Sequence, residues 1–158
     1  MKKMQKFVVL AVLAAVAATA FPAVVWSQDK PVNLGLDHVN MQLWIVDYGV
    51  RVDGTLFSVV RKYYTSEGIR QETIELLMSK FGCPPEVAGN LYFTEYWFEY
   101  TNDRSQFATA YLGHYMQRTQ DNLIHETVFD DSSEDTKKTF APIVPNHASG
   151  RALALIPR

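Results

Sequence analysis

A single cysteine, Cys83, stands in the whole chain of 158 residues. That scarcity excludes an intramolecular disulfide, a Cys-x-x-Cys redox pair and a Cys-x-x-Cys-His haem attachment. Pro84-Pro85 follow it, with no helix start or oxyanion-hole context to lower its pKa, so Cys83 is not read as a nucleophile. Burial is the ordinary fate of such a thiol; the other reading is a bond to a second copy of the chain, giving a homodimer. Histidine is also sparse. His38, His114, His125 and His147 fall in none of the spacings of helical metal pairs or zinc motifs. His114 and His125 could meet across antiparallel strands, but they would need a carboxylate such as Glu126 or Asp121, and Glu126 points to the opposite face from His125. The acidic run Asp130, Asp131, Glu134 and Asp135 lacks the ligand alternation and glycine of a calcium loop and reads as solvated. No metal, no cofactor and no catalytic residue is therefore assigned.

Only one apolar run is long. Lys2, Lys3 and Lys6 precede an uninterrupted small and apolar stretch from Phe7 to Ala20. At about 14 residues it is short of the roughly 20 that a membrane span needs, and Pro22 interrupts its continuation. Charged, then apolar, then small residues is the order of a Sec-type signal peptide, assigned to residues 1–27, with a cut after Ala20 as the second choice. No cysteine lies near the boundary to carry a lipid. A periplasmic or extracellular protein with no span left after cleavage is expected. Cleavage would leave 12 Lys and Arg against 17 Asp and Glu. That negative balance argues against nucleic acid and anionic membranes as partners.

The remaining chain reads as a flexible lead-in over 28–40 and one domain over 41–158. Met41–Val52 and Thr55–Tyr64 are β-branched and aromatic, and they flank Asp53-Gly54, the dipeptide best suited to a tight hairpin turn. A helix from Leu56 competes, because Leu56, Val59, Val60 and Tyr63 also fall at helical spacing. Ile69, Thr73, Leu76, Leu77 and Phe81 recur at three- and four-residue steps and predict an amphipathic helix, with Ser66 at its N-terminus, Gly82 after its last turn and Pro84-Pro85 as a stop. Leu91–Tyr100, Gln106–Met116 and Leu123–Phe129 predict a three-strand antiparallel meander. Ala152–Ile156 reads as a short helix or an edge strand. The fold class expected is α+β, the hairpin and meander forming an antiparallel sheet packed on the one amphipathic helix.

Strand alternation places Tyr92, Thr94, Tyr96, Phe98 and Tyr100 on one face and Phe93, Glu95, Trp97 and Glu99 on the other. With Phe107, Tyr111 and Tyr115, aromatic area lies on both faces, whereas one helix covers only one. Either the hairpin or tail covers the second face, or it meets a partner. The candidate binding residues are Tyr96, Trp97, Tyr100 and Tyr111, with Glu95 and Glu99 as the polar component. Glu95 and Glu99 sit about 13 Å apart by strand rise, beyond the usual glycosidase separations.

From Tyr96 to Ile156 the order of parts resembles the surface-adhesin protein E-like family. The matching parts are a strand ending Tyr100-Thr101-Asn102, a polar turn into Phe107–Tyr115, a third strand, Phe140-Ala141-Pro142-Ile143-Val144-Pro145, and a closing Ala152–Ile156. The stretch is well under half of the chain. Where many members carry two cysteines this chain has Thr101-Asn102 and none after Ile156, so that disulfide cannot form, and the Glu67–Phe81 helix with Cys83 is an addition. The resemblance implies an exported, non-enzymatic binding domain and transfers no functional residue. Two functions are thus carried forward: a binding or structural domain that engages a protein or glycan in the cell envelope through the aromatic sheet, and a small hydrolase whose acid and base come from Asp37, His38, His114, His125 and Glu126. The first predicts an exposed aromatic patch; the second predicts two of those groups converging in a pocket.

Overall fold

The computed structural model describes residues 24–27, 30–116 and 122–158. Most of the signal-like segment, and Asp121, lie outside them. The described residues form one eight-stranded, antiparallel, curled half-barrel sheet with three short helices. The strands are β1 (Val24–Ser27), β2 (Val32–Leu36), β3 (Gln42–Arg51), β4 (Leu56–Tyr63), β5 (Leu91–Tyr100), β6 (Gln106–Met116), β7 (Leu123–Val128) and β8 (Ala141–Pro142). Their order is β1-β3-β4-β5-β6-β7, with β2 also on β3 and β8 on β6. Hairpin and meander are thus one continuous sheet. The lead-in expected over 28–40 is partly ordered. β2 pairs with β3 through a register shift between Asn33 and Gly35, which lets a polar, glycine-bearing segment join the edge.

The β3–β4 hairpin closes at Asp53-Gly54. Gly54 takes φ +85, its N–H donates to the Arg51 carbonyl at 2.9 Å, and the Asp53 carboxylate accepts from the Thr55 N–H. Helix α1 (Glu67–Phe81) ends where expected: Gly82 is left-handed, and the N–H groups of Gly82 and Cys83 close on the carbonyls of Met78 and Leu77. Its start differs, because Ser66 occupies the N-cap position without a side-chain cap. Its buried face differs too. Ile74 and Leu77 face inward with Ala88 and Leu91, flanked by Phe81, Cys83 and Ile124, while Leu76 is exposed.

The expectation of a single helix needs correction. Helix α2 (Pro85–Ala88) follows α1, and helix α3 (Ala148–Leu153) closes the main core. Ala152, Leu153 and Ile156 pack on Leu43, Ile45, Val60, Phe98 and Tyr100. Each large side chain so buried contributes roughly 1.5–3 kcal/mol. This defines a helix face of the sheet. The opposite face carries Trp44, Phe57, Arg61, Tyr63, Phe93, Glu95, Trp97, Glu99, Tyr111 and Tyr115, as the cross-strand register shows.

Candidate functional site

The six candidate binding residues do not form one exposed patch. Tyr96 and Tyr100 belong to the helix face, against α3. The Tyr100 hydroxyl donates to the Ser149 carbonyl at 2.9 Å and lies 2.7 Å from the Ser58 hydroxyl, which ties the core together. Trp97, Tyr111, Glu95 and Glu99 occupy the opposite face. There the Tyr111 and Tyr115 hydroxyls share a 2.7 Å hydrogen bond, possible because Gly113 between them has no Cβ; one would meet the Tyr111 hydroxyl and the Tyr115 ring at 2.6 Å.

Both glutamates are held by charges of the chain itself. Glu95, 1% exposed, accepts from Arg61 Nε at 2.8 Å and from the Trp97 indole N–H at 2.7 Å. Glu99 accepts from Arg51 and, at 2.6 Å, from Lys138. Burial raises the Glu99 pKa, but its bonds to Lys138 and Arg51 outweigh burial and hold it below the ordinary carboxylate value. These carboxylates are internal counter-ions, with little capacity left for a partner.

What they support is more telling. Arg61, fixed by Glu95, lies over the Phe93 ring at 4.9 Å and forms part of a groove of about 510 Å³. Trp44, Tyr63, Tyr64 and Tyr92 line the same groove, with Gln42 and Thr65 as polar neighbours. Tyr92 is 42% exposed and stands edge-on to Tyr63, centroids 5.5 Å apart. Sequence reasoning named none of Trp44, Tyr63 and Arg61 as a binding residue. The hairpin pairing that aligns them, Gln42 with Tyr63 and Trp44 with Arg61, follows a register shift between Ile45 and Asp47, so counting back from the Asp53-Gly54 turn does not give it.

The acid and base candidates separate into two places. Asp37 and His38 line a pocket of about 290 Å³ together with Lys62, Tyr96, Asn146 and His147. Asp37 is satisfied on every side: Lys62 Nζ reaches Oδ2 at 2.7 Å, and the N–H groups of Val39 and Met41 donate to Oδ1. Burial is overcome by these donors, and its pKa falls below the usual range. It is a counter-ion and a poor general base.

His114, His125 and Glu126 line a second hollow, of about 920 Å³, between the sheet and α1. His114 and His125 do face each other across β6 and β7. Burial, helped by His125, pushes His114 down to about 4, and its Nδ1 lies 3.0 Å from the Thr94 hydroxyl, which contacts Tyr64 at 2.7 Å. His125 stacks on Phe81 at 3.9 Å, and burial lowers its pKa too. No group of three metal-ligating side chains occurs among the described residues. Cys83 is partly buried beside Phe81 and Ile124. No family model, curated protein or solved structure matches this chain.

Proposed function

We propose that the chain is an exported, non-enzymatic binding domain, and that its ligand is a glycan laid along the Trp44–Tyr63–Tyr92 groove. One observation carries this reading: four aromatic side chains, Trp44, Tyr63, Tyr64 and Tyr92, and a fixed guanidinium share a single open trough on the sheet. Sugar rings present apolar C–H faces that stack on such rings, and their hydroxyls can accept from Arg61 and donate to the Gln42 carbonyl oxygen, the Gln42 amide N–H groups being held by Asn33 and Gly35. Holding Arg61 against Glu95 fixes its donors before a ligand arrives, so less side-chain entropy is lost on binding. Export rests on the lysine-then-apolar N-terminal segment, and the resemblance to adhesin-like domains supports the same placement outside the cytoplasm. The hydrolase alternative is weaker, because Asp37 is already saturated and His114 and His125 lie in a different hollow.

Titration of the exported chain with an N-acetylglucosamine hexamer, followed by tryptophan fluorescence, tests the proposal. Trp44→Ala and Tyr92→Ala are each expected to weaken binding by about 5–10-fold with the fold intact, in line with roughly 1 kcal/mol per aromatic stacking contact. If both variants are folded and bind as the wild type does, or if a peptide competes in the groove where the sugar does not, the glycan reading fails.

A further inference from the structure

We infer that the pocket between the Asp37–His38 loop and the Asn146–Ala148 segment is a second, independent ligand site, and that it takes a small planar ring bearing a carboxylate. Its volume of about 290 Å³ accommodates one ring with a short substituent. The apolar lining is aromatic. Tyr96 and Phe98 stack with centroids 5.8 Å apart, and Phe107 stands edge-on to Phe98 at 5.5 Å. Such rings favour a flat guest in offset or edge-on contact.

The polar lining sets the sign of that guest, because its unused hydrogen-bonding capacity is mostly donor. Asp37 takes one N–H of Lys62 and two backbone N–H groups, which engages its oxygens and leaves two ammonium N–H groups of Lys62 for a ligand. His147 is fixed by its own turn. The Ser149 N–H donates to His147 Nδ1, and the Ser149 hydroxyl lies 3.0 Å from the same nitrogen. Nδ1 therefore carries no proton, and the neutral ring holds its hydrogen on Nε2 as a donor. Burial, followed by the nearby His38 and Lys62, lowers the His147 pKa and keeps that neutral tautomer at neutral pH. The ring sits 5.6 Å from Phe107, so its donor lies beside the aromatic lining. The Asn146 amide adds further donors. Two acceptor oxygens with one negative charge match this set. A cationic guest would have to displace Lys62 from Asp37.

The test is a titration of the exported chain with benzoate, benzyl alcohol and benzylamine, read by calorimetry and by backbone amide shifts. Benzoate should bind and shift the amides of Thr109, Asn146 and Ala148, leaving Trp44 and Tyr92 unmoved. Benzyl alcohol should bind at least about 10-fold more weakly, because a charge-assisted contact is lost. Lys62→Gln, and separately His147→Phe, which keeps a ring but removes the donor, should each weaken benzoate by about 10-fold or more. The inference is overturned if benzoate fails to bind at about 10 mM, if benzylamine binds as well, if both variants bind benzoate like the wild type, or if the shifts fall in the Trp44 groove. Since the two sites share no lining residue, loss of glycan binding in Trp44→Ala leaves this result unaffected.

Discussion

Glu99→Gln is the substitution whose cost the structure defines best. The Glu99 side chain is 12% exposed and sits between Arg51, 5% exposed, and Lys138, 27% exposed. Glutamine preserves the shape and can accept one hydrogen bond, yet it leaves the Arg51 guanidinium with no negative partner at that position and little access to water. Removing one member of a buried pair costs roughly 3–5 kcal/mol, and the partial exposure of Lys138 places this case near the lower figure. With a urea m-value of about 1.5 kcal/mol/M, the unfolding midpoint should fall by about 2 M. Lys138→Met, at the more exposed end, should cost under about 1 kcal/mol. The double change Arg51→Met with Glu99→Leu should recover most of the loss, because the buried guanidinium is gone and the Lys138 ammonium, 27% exposed, can turn to water. The pH dependence has a definite sign. The folded pKa of Glu99 is lowered, so its contribution is complete above the ordinary value near 4.5 and is lost as pH falls through the folded value. Wild type should therefore weaken below about pH 4.5 more steeply than Glu99→Gln. A midpoint shift under about 0.5 M, or equal acid slopes, would refute the claim that Glu99 is the desolvated counter-ion of Arg51.

Gly150→Ala should unfold or severely destabilise the chain, by more than about 3 kcal/mol on thermal melting, because a Cβ there would meet the Val144 carbonyl oxygen at 2.3 Å and the Pro145 backbone at 2.8 Å. Burial holds His114 near 4, against an ordinary value of 6.5, so the unfolded chain binds the proton first. Stability should be full above about pH 6.5 and fall towards pH 4, and His114→Asn should flatten that slope in urea titrations at stepped pH. On the proposed export, the mature N-terminus should be Phe21 by Edman sequencing, the second-choice cut after Ala20, rather than the Gln28 that a signal over residues 1–27 would leave. A cut after Ser27 would remove β1 and leave Gly49–Arg51 of β3 as an open edge, so recovery of Gln28 instead would show that this edge pairing is dispensable.

The parts of the fold legible in the sequence are those governed by local chemistry. Asp53-Gly54 announces its turn, Gly82 and Pro84-Pro85 announce the end of α1, and the alternation along Leu91–Tyr100 sorts Glu95, Trp97 and Glu99 from Tyr96, Phe98 and Tyr100. Which face is covered is a tertiary matter. Ala148–Leu153 is short and small-residued, with little to announce that it seals Phe98 and Tyr100, so Tyr100 passes for a binding residue when it is core. The groove was hidden by a single residue. Counted without interruption from the Asp53-Gly54 turn, β3 would pair Leu43 with Tyr63; the bulge at Val46 shifts the ladder, so Gln42 takes that place and Trp44 meets Arg61. A one-residue bulge exchanges the two faces of everything beyond it, and no local preference of Ile45, Val46 or Asp47 specifies it. Ala110 does the same in β6, bringing Tyr111 rather than Ala110 opposite Trp97. The 290 Å³ pocket was further from reach. Asp37 and His38 come from the loop after β2, Lys62 from β4 and His147 from the turn before α3, so the site exists only once the tail has docked across the edge. Arg151 makes that docking specific by donating to the carbonyls of Leu34 and Leu36. The same contact holds β2 against α3, so the segment that reads as a flexible lead-in becomes one wall of a pocket whose other wall is the C-terminal turn.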